Sequence, residues 1–76
     1  MATVAEIQAE LDAQGTNTVI RIIKQWAKSI DATTDLFYCI GGVNYAGRAK
    51  WCPTTNTESA ADQATAITNR IASDDL

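Results

Sequence analysis

The stretch that most constrains the fold is Leu36–Cys52, which holds both cysteines, both tyrosines, the only phenylalanine and one of the two tryptophans. Between Leu36 and Gly41 the side chains alternate with a period of two, so that Leu36, Tyr38 and Ile40 share one side. This period is typical of a β-strand, because successive side chains point to opposite faces. We therefore expect a β element near the centre of the chain.

A tight turn is predicted directly after this strand. Gly41 and Gly42 allow the positive φ angles that hairpin turns require, so residues 43–45 should return antiparallel to the first strand. Residues 48–52 then either continue the return strand or form a third short strand. Pro53 is expected to end the pairing, because proline has no N–H group to donate to a neighbouring strand.

A first helix is predicted before this β element, over residues 4–14. Thr3 and Glu6 have the spacing of a capping box, and Gly15 stands where a glycine commonly ends a helix. The apolar positions recur at helical spacing, at Val4, Ile7 and Leu11.

A second helix is predicted over residues 19–30. Its apolar residues recur at spacings of three and four, at Val19, Ile22, Ile23, Trp26, Ala27 and Ile30. Such β-branched residues also suit a strand, but strict alternation fails at Ile22 and Ile23, which favours the helix. The opposite side of that helix would be a basic stripe of Arg21, Lys24 and Lys28. The stripe is either a solvated face paired with acidic residues of the first helix or a contact for an acidic partner.

A last helix is predicted over residues 58–73, where Thr55 and Glu58 repeat the capping-box spacing before an alanine- and isoleucine-rich stripe. The expected fold class is α+β: two N-terminal helices, a β-hairpin or short three-strand meander, and one C-terminal helix, in a single compact domain of residues 1–76. Because a two-stranded ribbon alone is marginal in water, its apolar face must pack on helices. The residues expected at that junction are Trp26, Tyr38, Ile40 and Trp51.

Composition argues against several function classes. The chain of 76 residues has no histidine, the commonest metal ligand and the usual general base near neutral pH. Two cysteines without an imidazole partner provide neither a zinc site nor an activated nucleophile, so we expect no enzyme activity, no metal and no cofactor. A formal charge of −3 argues against nucleic acid or an anionic membrane as the main partner.

No targeting or membrane segment is expected. The N-terminus is amphipathic and acidic, whereas a secretory signal starts with basic residues and continues with an apolar run. The stretch 19–30 is interrupted by charged residues and is shorter than the ~20 apolar residues that a membrane span needs. We therefore expect a soluble protein that is made in a cytoplasm.

The two cysteines allow two states. Cys39 and Cys52 are thirteen positions apart and could face each other across strands. A disulfide closing a loop of that length would stabilise the fold by about 3 kcal/mol in the chain-entropy model. A cytoplasmic origin favours the alternative, two reduced and half-buried thiols.

Cations and aromatic residues lie close together towards the end of the β element. The candidate contact residues are Tyr45, Arg48, Lys50 and Trp51. In an extended segment 48–52, Trp51 lies on one face and both cations lie on the other. These side chains could stack on a nucleotide and neutralise it, but two cations on an acidic chain favour a protein contact over nucleic acid.

A resemblance to a known group of proteins begins at these residues. The segment Val43–Lys50 (VNYAGRAK) has a tyrosine-x-glycine-x-alanine pattern, which is followed after a threonine-rich loop by Ala60-Ala61 and the segment Ile67–Ile71. It resembles small tailed-phage proteins, in which a strand leads through a glycine- and threonine-rich loop to an alanine-rich segment. The likeness covers residues 43–71 and departs from the pattern at Cys52-Pro53, where that group has glycine. It implies a structural component such as a decoration, neck or tail accessory protein, and it transfers no catalytic residues.

Three functional hypotheses follow. The preferred one is a structural or interaction protein of a phage particle, which uses the 36–52 hairpin to contact itself in a homo-oligomer or other virion subunits. Such a protein would be made in the host cytoplasm and incorporated in the virion. The second is a phage-encoded inhibitor that binds a host defence protein. The third is a small-molecule or nucleotide-binding module with a pocket between the helices and the hairpin.

Overall fold

The computed structural model of the chain describes residues 2–14, 19–26, 31–42 and 45–73. It has an α+β fold with a three-stranded antiparallel sheet, ordered β1-β2-β3, and two helices, of which one precedes the sheet in the sequence and one follows it. The elements are α1 (Val4–Ala13), β1 (Ile20–Gln25), β2 (Thr34–Gly41), β3 (Ala49–Thr55) and α2 (Ala60–Ala72).

Helix α1 forms as predicted. The Thr3 N–H donates to Glu6 Oε1 at 2.8 Å and the Glu6 N–H donates to Thr3 Oγ1 at 3.1 Å, so the capping box is complete. These two bonds satisfy backbone donors that the first helical turn leaves unpaired. The helix buries Ile7 and Leu11 completely.

The prediction of a second helix over residues 19–30 is wrong, because residues 20–25 form strand β1. Strand β1 pairs antiparallel with β2, and its register shifts between Ile22 and Lys24. Ile22 packs against the core and Ile23 lies on the exposed side, so strict alternation of apolar residues fails there because both faces of the strand carry apolar side chains. The predicted order of two N-terminal helices is therefore corrected to a single helix followed by a strand. The remainder of the predicted helix, 27–30, lies outside the described residues.

The predicted strand at 36–41 is confirmed as part of β2. Within residues 36–52 the structure describes two strands, β2 and β3, and the third strand of the sheet is β1. The predicted return at 43–45 falls partly outside the described residues, and Tyr45–Gly47 form a turn before β3. In this turn Ala46 and Gly47 have positive φ angles of 55° and 71°.

Pro53 does not end the pairing, because it lies inside β3 opposite Leu36. The Gly41 N–H donates to the Arg48 carbonyl, and the Asn56 N–H donates to the Thr33 carbonyl. Since ladder bonds alternate along a strand, the nitrogen of Pro53 points to the open edge of the sheet and not towards β2. Proline is tolerated at such a position because no N–H group is needed there.

Helix α2 begins at Ala60, two residues after the predicted start. Ser59 is the N-cap, and its hydroxyl accepts from the Asp62 N–H at 3.1 Å. The predicted capping box of Thr55 and Glu58 is instead a turn in which the Glu58 N–H donates to the Thr55 carbonyl.

The core lies between the two helices and one face of the sheet. Its fully buried members come from all five elements: Ile7, Leu11, Ile20, Phe37, Cys39, Cys52, Ala64, Ile67 and Ile71. Helix α2 comes so close to β2 that a Cβ atom on Gly41 would lie 2.6 Å from Cγ2 of Ile71. Gly41 therefore faces helix α2 at a point where no side chain fits.

The predicted junction residues lie on the opposite face. Phe37 and Cys39 point into the core, so their neighbours Tyr38 and Ile40 point away from the helices. Trp51 pairs with Tyr38 and shares its direction, while Trp26 is 54% exposed. Both faces of β2 are apolar in the sequence, and the close approach of α2 at Gly41 fixes which of them is buried.

Candidate interaction surface

The sheet has an open face on the side away from the helices, which we call the outer sheet face. The strand register assigns its members: Arg21, Lys24, Leu36, Tyr38, Ile40, Ala49, Trp51 and Pro53, with Ile23 at the bulge and Trp26 just after β1. Ile23 is 52% exposed and Ile40 36%. No described residue forms a layer over this face, which makes it an exposed apolar surface of the kind that marks interaction sites.

Three aromatic side chains pack together on the outer sheet face. The ring centroids of Trp26 and Trp51 are 5.5 Å apart in a T-shaped arrangement, and those of Tyr38 and Trp51 are 5.1 Å apart. We call these three residues the aromatic cluster. Edge-to-face pairs at such distances contribute about 0.5 to 1.5 kcal/mol beyond their area burial, so the cluster is held in place before any partner arrives.

A lysine lies over the aromatic cluster. The Nζ atom of Lys24 is 5.8 Å from the ring centroid of Tyr38 and 5.6 Å from that of Trp51. This cation–π geometry keeps the ammonium group at the centre of the face. Arg21 lies on the same face, opposite Ile40. These two are the charged members of the outer sheet face within the described ranges, and both are positive.

A small apolar groove continues the outer sheet face. It has a volume of about 170 Å³ and is lined by Val19, Arg21, Ile23, Ile40 and Gly42. Ligand pockets of drug-sized molecules have volumes of about 300 to 1,000 Å³. The groove is therefore too small for a nucleotide and suits one or two side chains of a protein.

The predicted contact residues Arg48 and Lys50 hold the end of helix α2. Nη1 of Arg48 donates to the carbonyls of Ile71 and Ser73 at 2.9 and 3.0 Å. Nζ of Lys50 donates to the Ser73 carbonyl at 2.6 Å. The last carbonyls of a helix lack intrahelical partners and carry partial negative charge, so these cations satisfy and neutralise them.

The other two predicted contact residues, Tyr45 and Trp51, do not lie together in the structure. Tyr45 is half-buried and packs against the core from the turn before β3. Trp51 belongs to the aromatic cluster on the outer sheet face. Sequence reasoning grouped Trp26 with Trp51, but at a junction between a helix and the sheet. It did not place Lys24 there, because it assigned Lys24 to the opposite side of that helix. The signal that could have found them is the density of β-branched residues around a break in alternation.

Cys39 and Cys52 are free thiols, both fully buried on the inner face of the sheet. Cys39 is opposite Lys50 and Cys52 is opposite Phe37, so the two cysteines are diagonal neighbours. Their mutual hydrogen bond, together with burial, raises the pKa of Cys39. Buried thiols are chemically inert, which suits a packing role.

In the part of the chain that the structure describes, no group of three or more histidine, cysteine, aspartate or glutamate residues could hold a metal ion. An open groove of about 510 Å³ near the start of α2 is lined by Glu6, Asn56 and Glu58, among others. The carboxylate of Glu6 is already engaged in the capping box, and Ser59 in the same groove is engaged as the N-cap.

Comparison of the chain with protein-family models, with curated proteins and with solved structures gave no significant match. Among the described residues, no helix is both long enough and apolar enough to cross a membrane.

Proposed function

We propose that this protein is a non-enzymatic interaction module that binds a protein partner through its outer sheet face. The aromatic cluster is the observation that carries the proposal. Tryptophan and tyrosine are enriched among the residues that dominate binding energy at protein interfaces. Trp26 is 54% exposed although it belongs to a packed aromatic group, so a partner could bury much of it without rearranging the face.

The edges of the sheet favour binding through the face over addition of a further strand. On the β1 edge, Nε2 of Gln8 donates to the Ile20 carbonyl at 2.9 Å, and Oε1 of Gln8 accepts from the Ile22 N–H at 2.8 Å. The side-chain amide thus occupies the backbone groups that a docking strand would use. On the β3 edge, Pro53 has no backbone N–H group that could donate a hydrogen bond to an added strand. Protected edges of this kind oppose strand addition.

The proposed setting is a phage particle, in which the partner is a neighbouring subunit. The resemblance of residues 43–71 to small tailed-phage proteins motivates this setting. Tyr38, Ile40 and Trp51 all belong to the 36–52 hairpin, and their position on the outer sheet face supports contact through that hairpin. Arg48 and Lys50 support it indirectly, since they anchor the hairpin to α2.

Site-specific photo-crosslinking tests the proposal. A benzophenone amino acid at position 26 should crosslink to a protein when the chain is produced in its native cells or particles. The same probe at Thr65, which is exposed on α2, is the matched control and should not crosslink.

The captured protein is identified by mass spectrometry and its affinity for the purified chain is measured. Trp26→Ala should weaken that affinity by about tenfold or more, which corresponds to ~1.4 kcal/mol. Equal crosslinking from both positions, or no effect of Trp26→Ala on binding, would overturn the proposed function.

A further inference from the structure

The inference that follows rests on the proposed function and names the partner. We propose that the outer sheet face binds a second copy of this chain, and that the second copy contributes the outer side of its helix α1. The contact is head-to-tail, because the two surfaces that meet are different.

Helix α1 has an acidic outer side. Its ten residues include three carboxylates and no cation, which gives the helix a formal charge of −3. Opposite the buried Ile7 and Leu11, the exposed side is a ridge of small residues spaced four apart, bordered by acidic residues. We call this surface the acidic ridge: Ala5, Ala9 and Ala13, bordered by Glu6, Glu10 and Asp12.

The acidic ridge complements the outer sheet face in charge and shape. The face is apolar with positive charges at Arg21 and Lys24, whereas the ridge is apolar with negative charges on both sides. Alanine side chains are short, so a helix with an alanine ridge can lie close to large aromatic residues. Glu10 makes no hydrogen bond or ion pair with the described residues of its own chain, and its carboxylate is available to Lys24 of another copy.

Charge argues against the symmetric alternative, in which two outer sheet faces meet. That arrangement would bring Arg21 and Lys24 of both copies into one interface, and the face has no carboxylate within the described ranges to balance them. Lys24 is held near the centre of the face by its contacts with Tyr38 and Trp51. Like charges placed opposite one another oppose association.

The size of the face predicts how the copies assemble. Three strands about 4.8 Å apart and about seven residues long give a projected area on the order of 300 Å². Stable complexes bury about 800 Å² on each partner, so one such contact is weak. A head-to-tail arrangement gives each inner copy two contacts and generates rings or filaments, in which weak contacts add together.

Sedimentation equilibrium of the purified chain tests the inference. Measurements extend to about 1 mM, since interfaces of this size associate weakly. The weight-average mass should rise with concentration and fall with added salt. Lys24→Glu and Glu10→Lys should each lower the association constant by about tenfold or more, and the double variant should recover it by exchanging the two charges. Asp62→Lys, which makes the same charge change on α2, is the control and should leave association intact.

Other outcomes would overturn the inference. Loss of association in Lys24→Glu but not in Glu10→Lys would show that helix α1 of the second copy is not the surface that meets the sheet face. A monomer at every concentration would show that the partner is not a second copy. If photo-crosslinking from position 26 then captured a different protein, the proposed function would stand while this inference failed.

Discussion

Lys50 reaches from the sheet to the end of helix α2, where its Nζ lies 2.6 Å from the carbonyl oxygen of Ser73. Sequence reasoning assigned this lysine to a contact with another molecule. Its position shows how a short helix with a modest apolar face is held on the sheet. The lysine offsets the negative end of the helix dipole and satisfies carbonyls that have no partner within the helix.

Lys50→Met should therefore destabilise the fold. We expect the free energy of unfolding to fall by about 1 to 2 kcal/mol, because the variant keeps the aliphatic stem and loses a charged hydrogen bond at the helix end. Urea denaturation followed by far-UV circular dichroism measures the change. Lys24→Met on the outer sheet face is the control and should shift stability by no more than about 0.5 kcal/mol. Equal effects of both variants would contradict the anchoring role.

Gln8→Ala should weaken the protection of the β1 edge. The variant removes the side chain that bonds the Ile20 carbonyl and the Ile22 N–H, at a cost of about 1 to 2 kcal/mol in unfolding free energy. It also exposes a strand edge, so aggregation during prolonged incubation should increase. Chemical denaturation and light scattering measure these two effects. Glu10→Ala on the same helix is the control, and matching aggregation in both variants would argue against a specific role of Gln8.

Stability should fall in acid as the capping box is protonated. Hydrogen bonds from the backbone and then the side chain of Thr3 hold the pKa of Glu6 below its ordinary value of 4.5. Since the folded-state pKa is depressed, this contribution is fully present above pH 4.5 and is lost as pH falls through the folded-state pKa. Asp31 should also lose a stabilising contribution in acid, because hydrogen bonds from Thr33 and Thr34 lower the pKa of its carboxyl group.

Urea midpoints measured between neutral pH and strong acid check this prediction. Glu6→Gln keeps an acceptor for the Thr3 N–H but cannot titrate, so its midpoint should decline less between neutral pH and acid. If both proteins lose the same amount of stability over this range, Glu6 is not one of the groups responsible.

Both thiols should be protected from modification in the folded protein. Cys39 and Cys52 are fully buried, so reaction with a disulfide reagent such as Ellman's reagent should require unfolding. Two thiols per chain should then titrate rapidly in denaturant. Rapid reaction without denaturant would contradict the burial of the cysteines, and the absence of titratable thiols in denaturant would indicate a disulfide.

Much of the local structure could be predicted because its causes lie within a few residues. Thr3 and Glu6 define the start of α1, and the period of two from Leu36 onward identifies β2. The predicted start of α2 differs from the observed start by only two residues. The difference arises because several neighbouring polar residues, among them Thr55 and Ser59, have side chains that can cap a helix.

The sequence by itself determined a single α+β chain with a helix at its beginning, a helix at its end and a β element near its centre. The tertiary structure decided that Ile20–Gln25 is a strand, because pairing with β2 outweighs the helical spacing of its apolar residues. It also decided which apolar side of β2 is buried, because Gly41 and Cys39 admit a helix where Tyr38 and Ile40 do not. These outcomes depend on contacts between residues far apart in the chain, and local patterns carry no information about such contacts.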